Sequence, residues 1–210
     1  MEQSQKTLLY SDYIIGFFQF LTYIFFAYPI RFFYRAETTV SQNINKLKKG
    51  SLLVANHQSF LDPFIVLAYI PFLTFIKILP IRFPVCDKFM ANPFLSWLLK
   101  LLGCFNIGAN SKKKMLALLY TRGLLQQGKT VFLFTEGTVI KKETIDEFRQ
   151  GIQFFINECQ NAVFVRMKGF NKINLRSLIR SDRKLTFSEV KNFNGEDIKT
   201  DDLKMILEQL

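Results

Sequence analysis

The stretch Ser51-Leu52-Leu53-Val54-Ala55-Asn56-His57-Gln58-Ser59-Phe60-Leu61-Asp62 decides how this chain is read. Ser51 to Ala55 is a short apolar run suited to a buried strand. Phe60 to Ile70 then reads as a helix, with Ser59 as its N-cap and Ser59 and Asp62 at capping-box spacing. His57, the only histidine, falls on the loop between them. An imidazole is the one side chain whose unperturbed pKa lies near neutrality, so it can take a proton and return it. On one continuous helix, residues five apart point ~140° away from each other. His57 and Asp62 therefore meet only if the histidine is on the loop and the aspartate in the first helical turn. A strand, a loop and a capped helix supply that arrangement, which is the arrangement of a general base held in one tautomer by a carboxylate. A structural histidine beside a capping aspartate is the plainer reading of the same residues.

The rest of the chain repeats the alternation. Asn92-Pro93 opens a helix that Gly103 ends, because proline suits a first helical position and glycine a C-terminal one. Cys104 to Ile107 is a brief strand. Ser111 is expected to cap a helix running to Gln127 and stopping at Gly128. Its first turn holds Lys112, Lys113 and Lys114, which oppose the helix dipole and suit either a solvated face or an anion. Thr130 to Phe134 is the clearest buried strand, and it runs directly into Thr135-Glu136-Gly137-Thr138. Thr144 to Glu147 forms a second capping box, starting a helix towards Cys159. Ala162 to Met167 and Leu185 to Val190 read as strands, Asp201 to Leu210 as a closing helix, and residues 36–50 as a polar connection. Strands alternating with helices predict an α/β fold, a central, mostly parallel sheet flanked by helices.

At 210 residues the chain fits one domain with a substantial core. A hydrophobic share of 49%, with 24 phenylalanines, excludes a disordered chain. Lys and Arg number 28 against 17 Asp and Glu, a net charge of +11, which suits a polyanion. Nucleic acid is not expected, since no zinc finger, RNP-like or helix-turn-helix pattern is present. An anionic membrane surface is the partner that remains. Cysteines 86, 104 and 159 form no CxxC or Cys/His cluster, so no metal site is expected, and free thiols suit a reducing compartment. Tyr13 to Ile30 carries no charge over eighteen residues. As a helix it would be ~27 Å long, close to the ~30 Å hydrocarbon core of a bilayer. Arg31, Arg35, Lys46, Lys48 and Lys49 follow it, which by the positive-inside tendency places the body on the cytoplasmic face. Residues 1–36 are thus expected to form a membrane anchor and 37–210 the catalytic domain. A buried core helix is the alternative, and for an anchor both spanning the bilayer and lying in one leaflet are open.

Taken together, these motifs resemble the glycerolipid (lysophospholipid) acyltransferase family, over roughly residues 45 to 190. The family's first block, NHxSxxD, is met by Asn56, His57, Ser59 and Asp62. Its third, FPEGT, is met by Phe134, Glu136, Gly137 and Thr138, with Thr135 where proline is usual. Gly103 to Ile107 is similar to the second block, Phe148 to Gly151 to an FKxG segment, and Val163 to Val165 to the apolar strand of the fourth. The resemblance implies the glycerol-3-phosphate acyltransferase-like fold. It also implies acyl transfer from a thioester, acyl-CoA or acyl carrier protein, to a hydroxyl of a lysophosphatidate-like lipid. In that scheme His57 takes the hydroxyl proton and Asp62 stabilises the imidazolium. Glu136 bonds a glycerol hydroxyl, and backbone N–H groups near Gly137 receive the oxyanion. Asn56, Ser59 and Thr138 complete the substrate-binding set, Ser59 with capping alone as its alternative, and no cofactor is required.

Two departures bear on the acceptor. The second block usually ends in arginine, where this chain has Gly108-Ala109-Asn110, and the third often continues with arginine, where Val139 stands. Arginine grips phosphate bidentately in a way lysine does not reproduce. The phosphate would then fall to other cations, with Lys88, Lys112 to Lys114, Lys141, Lys142 and Arg166 as candidates. Otherwise the acceptor is another lysophospholipid or a non-phosphorylated lipid. A lipid-binding relative without catalysis is the alternative from another class.

Overall fold

The computed structural model describes residues 10–136, 152–170, 183–193 and 200–210. Seven strands form its sheet: β1 (Glu37–Thr39), β2 (Ser51–Ala55), β3 (Ile81–Val85), β4 (Cys104–Asn106), β5 (Thr130–Phe134), β6 (Asn161–Lys168) and β7 (Lys184–Phe187). They lie in the order β1-β7-β6-β2-β5-β3-β4. Five run parallel, from β6 to β4, while β7 pairs antiparallel with β6 and β1 runs with β7. The expected mostly parallel α/β sheet is present.

Burial on both faces explains why the central strands read as continuous apolar runs. Leu53, Ala55, Phe132 and Val163 face one way, against Ile65 and Val66 of α2 (Asp62–Tyr69) and Phe75 and Ile78 of α3 (Phe72–Ile78). Leu52, Val54, Val131 and Phe164 face the other way. There they meet Leu124 and Leu125 of α6 (Ser111–Gln126), Phe155 of α7 (Ile152–Ile156) and Leu203 of α8 (Thr200–Gln209). The short α4 (Asp87–Met90) and α5 (Pro93–Leu101) connect β3 to β4.

Several boundaries differ from expectation, β7 among them, which ends at Phe187 and not at Val190. The helix expected from Phe60 begins at Asp62, with Pro63 in its first turn and Leu61 as a cap that makes no side-chain bond. Asn110, not Ser111, caps α6, accepting the Lys113 N–H at 2.9 Å. Residues 36–50 are more than a connection, holding β1 and a 3-10 turn over Ile44–Lys46. Strand β3 escapes pattern reading because Arg82 and Pro84 interrupt it. It pairs with β5 only through Ile81 and Arg82, so the missing Pro84 N–H lies beyond that ladder.

The apolar N-terminal segment forms α1 (Asp12–Phe33), long and apolar enough to cross a membrane by length and composition. It is bonded to the body along its length. Asp12 pairs with Arg82 and Lys129. Gln19, only 5% exposed, donates to the carbonyls of Ile81 (2.6 Å) and Leu102 (2.9 Å) and accepts the Ile81 N–H (2.9 Å). Tyr23 Oη donates to Ile70 O, and Arg31 Nε to Ala68 O. Gly103 makes this approach possible. Its φ is +81°, and a Cβ there would lie 2.5 Å from Ile81 O and 2.9 Å from Gln19 Nε2.

Candidate active site

In an open parallel sheet, ligands bind beyond the carboxyl ends of the strands. Here β2 and β5 are neighbours in register, Ala55 opposite Phe134, so the loops that follow them emerge side by side. One carries His57 and the other Glu136.

Asn56 makes the first turn out of the sheet. Its amide donates to Met167 O (2.9 Å) and accepts from Met167 N–H (2.7 Å), continuing the β2–β6 ladder through a side chain while the main chain departs. Both ends of the amide are thus engaged by β6. Gln58 extends the clamp by accepting the Phe170 N–H at 3.0 Å.

His57 Nδ1 lies 2.9 Å from Asp62 Oδ2. The same oxygen accepts the N–H groups of Gln58 (2.6 Å) and Ser59 (2.7 Å), and Oδ1 accepts the Ser59 hydroxyl (2.5 Å). Asp62 is fully buried and the His57 side chain is 14% exposed. The capping box is therefore half formed. Asp62 reaches back to the Ser59 N–H as such a box requires, but the serine hydroxyl donates to Asp62 instead of accepting from the helix. Ser59 thus donates its hydroxyl to the aspartate and helps to orient it. One carboxylate both closes the loop and faces the imidazole, so the capping and tautomer-holding readings of Asp62 hold together.

Glu136 is 4% exposed, and its Oε2 accepts the His57 N–H (2.9 Å) and the Thr135 hydroxyl (2.9 Å). Burial pushes its carboxyl up from the usual value, against these bonds. Phe134 lies flat against the His57 ring, with centroids 3.9 Å apart and planes 17° apart. The only signal of this contact in the sequence is an aromatic residue at the end of the strand beside the histidine loop. Gly137, Thr138, Val139, Lys141, Lys142 and the segments over 144–151 lie outside the described residues.

His57 and Phe134 border a cavity of about 590 Å³, lined mainly by apolar side chains including Phe64, Phe75, Phe83, Leu99 and Phe132. Gln19, Tyr23 and Ile30 line it too, so α1 supplies part of its wall and packs with the rest as one body. Of the candidate cations, Lys114 lines the cavity, and Lys88 stands over the rings of Phe60 and Phe89, which also line it. Arg166 instead donates to Leu207 O near the end of α8. Burial pushes the thiol of Cys104, another lining residue, up to about 12, so it is no nucleophile at neutral pH. Among the described residues no group of three or more His, Cys, Asp or Glu could hold a metal.

A histidine paired with a buried carboxylate at the carboxyl ends of parallel strands, beside an apolar cavity, marks the class of this α/β protein. Comparison with known proteins gives that class its family. The Acyltransferase family model matches residues 35–165, so the chain belongs to the acyltransferase family. It is 28% identical over 162 residues to a probable 1-acyl-sn-glycerol-3-phosphate acyltransferase of Mycoplasma pneumoniae, covering 74% of this chain and 56% of that protein. With its Mycoplasma genitalium counterpart it shares 28% over 159 residues, covering 72% and 54%. The chain thus spans about half the length of these curated relatives. The crystal structure of the 1-acyl-sn-glycerophosphate (LPA) acyltransferase PlsC from Thermotoga maritima superposes with a TM-score of 0.59 at 18% identity, covering 89% of this chain and 77% of that one. That likeness concerns the fold.

Proposed function

We propose that this protein transfers a fatty acyl group from acyl-CoA or acyl carrier protein to a hydroxyl of a lysophosphatidate-like glycerolipid at the cytoplasmic face of a membrane. The observation that carries the reading is the His57–Asp62 pair beside the apolar cavity. With Nδ1 directed at Asp62, Nε2 is the nitrogen for the acceptor hydroxyl. The alcohol oxygen attacks the thioester carbonyl as His57 takes its proton. Asp62 stabilises the imidazolium, and the tetrahedral intermediate collapses to the ester and the thiol. The proton returns from His57 to the thiolate, so charge balances without a covalent enzyme intermediate. Backbone N–H groups near Gly137 are our candidates for the oxyanion, and Thr138 for a substrate contact. Glu136, held against the His57 backbone, serves the acceptor by fixing the loop that receives it. The apolar cavity takes the acyl chain, and the outer face of α1 lies in the membrane surface.

General-base catalysis contributes roughly 10² to 10⁴ in rate. Purified protein in liposomes, given acyl donor and lysophosphatidate, should therefore lose at least a hundredfold in kcat on His57→Ala. Near-native turnover of that variant would remove His57 from the mechanism. Because Ala109 and Val139 stand where the family has arginines, a monoacylglycerol and a lysophospholipid with a larger headgroup belong in the same assay. Preference for either would move the acceptor to the second reading.

A further inference from the structure

We infer that Phe134 is a positioning residue for the proposed base, setting the plane of the His57 ring and favouring its protonated form during transfer. The inference rests on the reading of His57 as base. A hydrogen bond from Nδ1 to Asp62 fixes one point of the imidazole, and the bond from the His57 N–H to Glu136 fixes its backbone. Neither fixes the ring plane, since the ring can still tilt about the Nδ1–Oδ2 direction. The face of Phe134 at 3.9 Å and 17° supplies the missing restraint.

Phe134 is itself held by a chain of rings from the core. It meets Phe132 at 5.0 Å, and Phe132 meets Phe83 at 5.7 Å. Phe132 is buried between α2, α3 and the sheet. The contact is electrostatic as well as steric. The face of an aromatic ring is negative and attracts a cation stacked on it. His57 is a cation only after it has taken the hydroxyl proton, so the attraction is stronger in the transition state than before it. An interaction of that kind raises kcat and leaves KM alone.

The test compares Phe134→Leu, which removes the ring with little loss of volume, and Phe134→Tyr, which keeps it. Expected is at least a tenfold fall in kcat for Phe134→Leu, with KM for donor and acceptor within threefold of wild type. Phe134→Tyr should stay within threefold in both. Since His57 is the only histidine, its imidazole gives one set of ring resonances. Ring-current shifts on its carbon-bound protons should be present in wild type and Phe134→Tyr and absent in Phe134→Leu. The proposal is overturned if Phe134→Leu keeps kcat within threefold, if its loss lies in KM alone, or if Phe134→Tyr falls as far as Phe134→Leu. Wild-type resonances without the ring-current shift overturn it without reference to activity. Activity surviving His57→Ala would instead overturn the underlying reading, while the resonances still report whether the two rings stack.

Discussion

Asp62 and Glu136 are both buried carboxylates in contact with His57, and they differ in what surrounds them. Asp62 receives two backbone N–H groups, a hydroxyl and the imidazole. Glu136 is left with burial as its largest influence, which raises its pKa despite the Thr135 hydroxyl and the His57 N–H. The sign of the pH effect follows. A carboxyl whose folded pKa is raised keeps its proton in the folded state where the unfolded chain has lost it. The stability it contributes is complete below the ordinary value of 4.5 and declines as pH rises through the folded value. Glu136→Gln keeps an oxygen to accept the His57 N–H but has no proton to lose. Its melting temperature relative to wild type should therefore climb as pH rises above the ordinary value of 4.5. A difference that is flat with pH, measured by circular dichroism, would contradict the raised Glu136 carboxyl.

At the scale of elements, α1 depends on a glycine that is not part of it. Alanine at 103 would adopt a left-handed φ and drive its Cβ into Ile81 O and Gln19 Nε2. Left-handed backbone and overpacking together cost about 3 kcal/mol. Gly123, inside α6 and with nothing within 4 Å of the place a Cβ would take, is the internal control. Gly123→Ala should stabilise by roughly 0.5–1 kcal/mol through helix propensity, and Gly103→Ala should destabilise. Urea unfolding of both variants decides it, and equal midpoints would mean that α1 does not rest on Gly103. This seat also marks where sequence reading stops. Strands β2 and β5 are legible to the residue, because strands buried on both faces need unbroken apolar runs. Asn92 and Gly103 mark the ends of α5 by the chemistry of helix ends. The His57–Asp62 pair is legible because turn geometry allows only one way for them to meet. Strand β3 is not, since Arg82 and Pro84 are tolerated there through a partner on α1 and a ladder that ends early. Nor are the commitments of Asn56, Ser59 and Glu136 to the loop. Those of Asn56 and Glu136 depend on Met167 and on the alignment of β2 with β5, contacts far apart in sequence, while Ser59 turns to Asp62 three residues on with its hydroxyl as donor.

For the whole molecule the question is how a body with a charge of +11 would meet the lipid substrate proposed for it. The outer face of α1 exposes Phe17, Phe25 and Phe32, and Phe72 and Leu73 of α3 and Phe94 and Trp97 of α5 are exposed too. The inner face of the same helix carries the Asp12 ion pairs, the Gln19 bonds and the Arg31 bond to Ala68. Spanning a bilayer would surround α1 with hydrocarbon and strip those groups of their partners, leaving Arg82 buried without its carboxylate. Lying in the interface keeps every inner bond and still buries the outer aromatic rings. The same orientation keeps the wall that α1 contributes to the cavity, so under the proposed function the acyl chain would reach His57 without leaving the apolar phase. The protein added to preformed vesicles should float with phosphatidylglycerol more than with phosphatidylcholine. The difference should shrink as salt rises from about 0.1 M to about 1 M, where the Debye length falls to ~3 Å. Epitope tags at both ends should be cut by protease added outside sealed vesicles. A protected N-terminal fragment would show α1 crossing the bilayer, and with it the inner bonds of this helix broken on insertion.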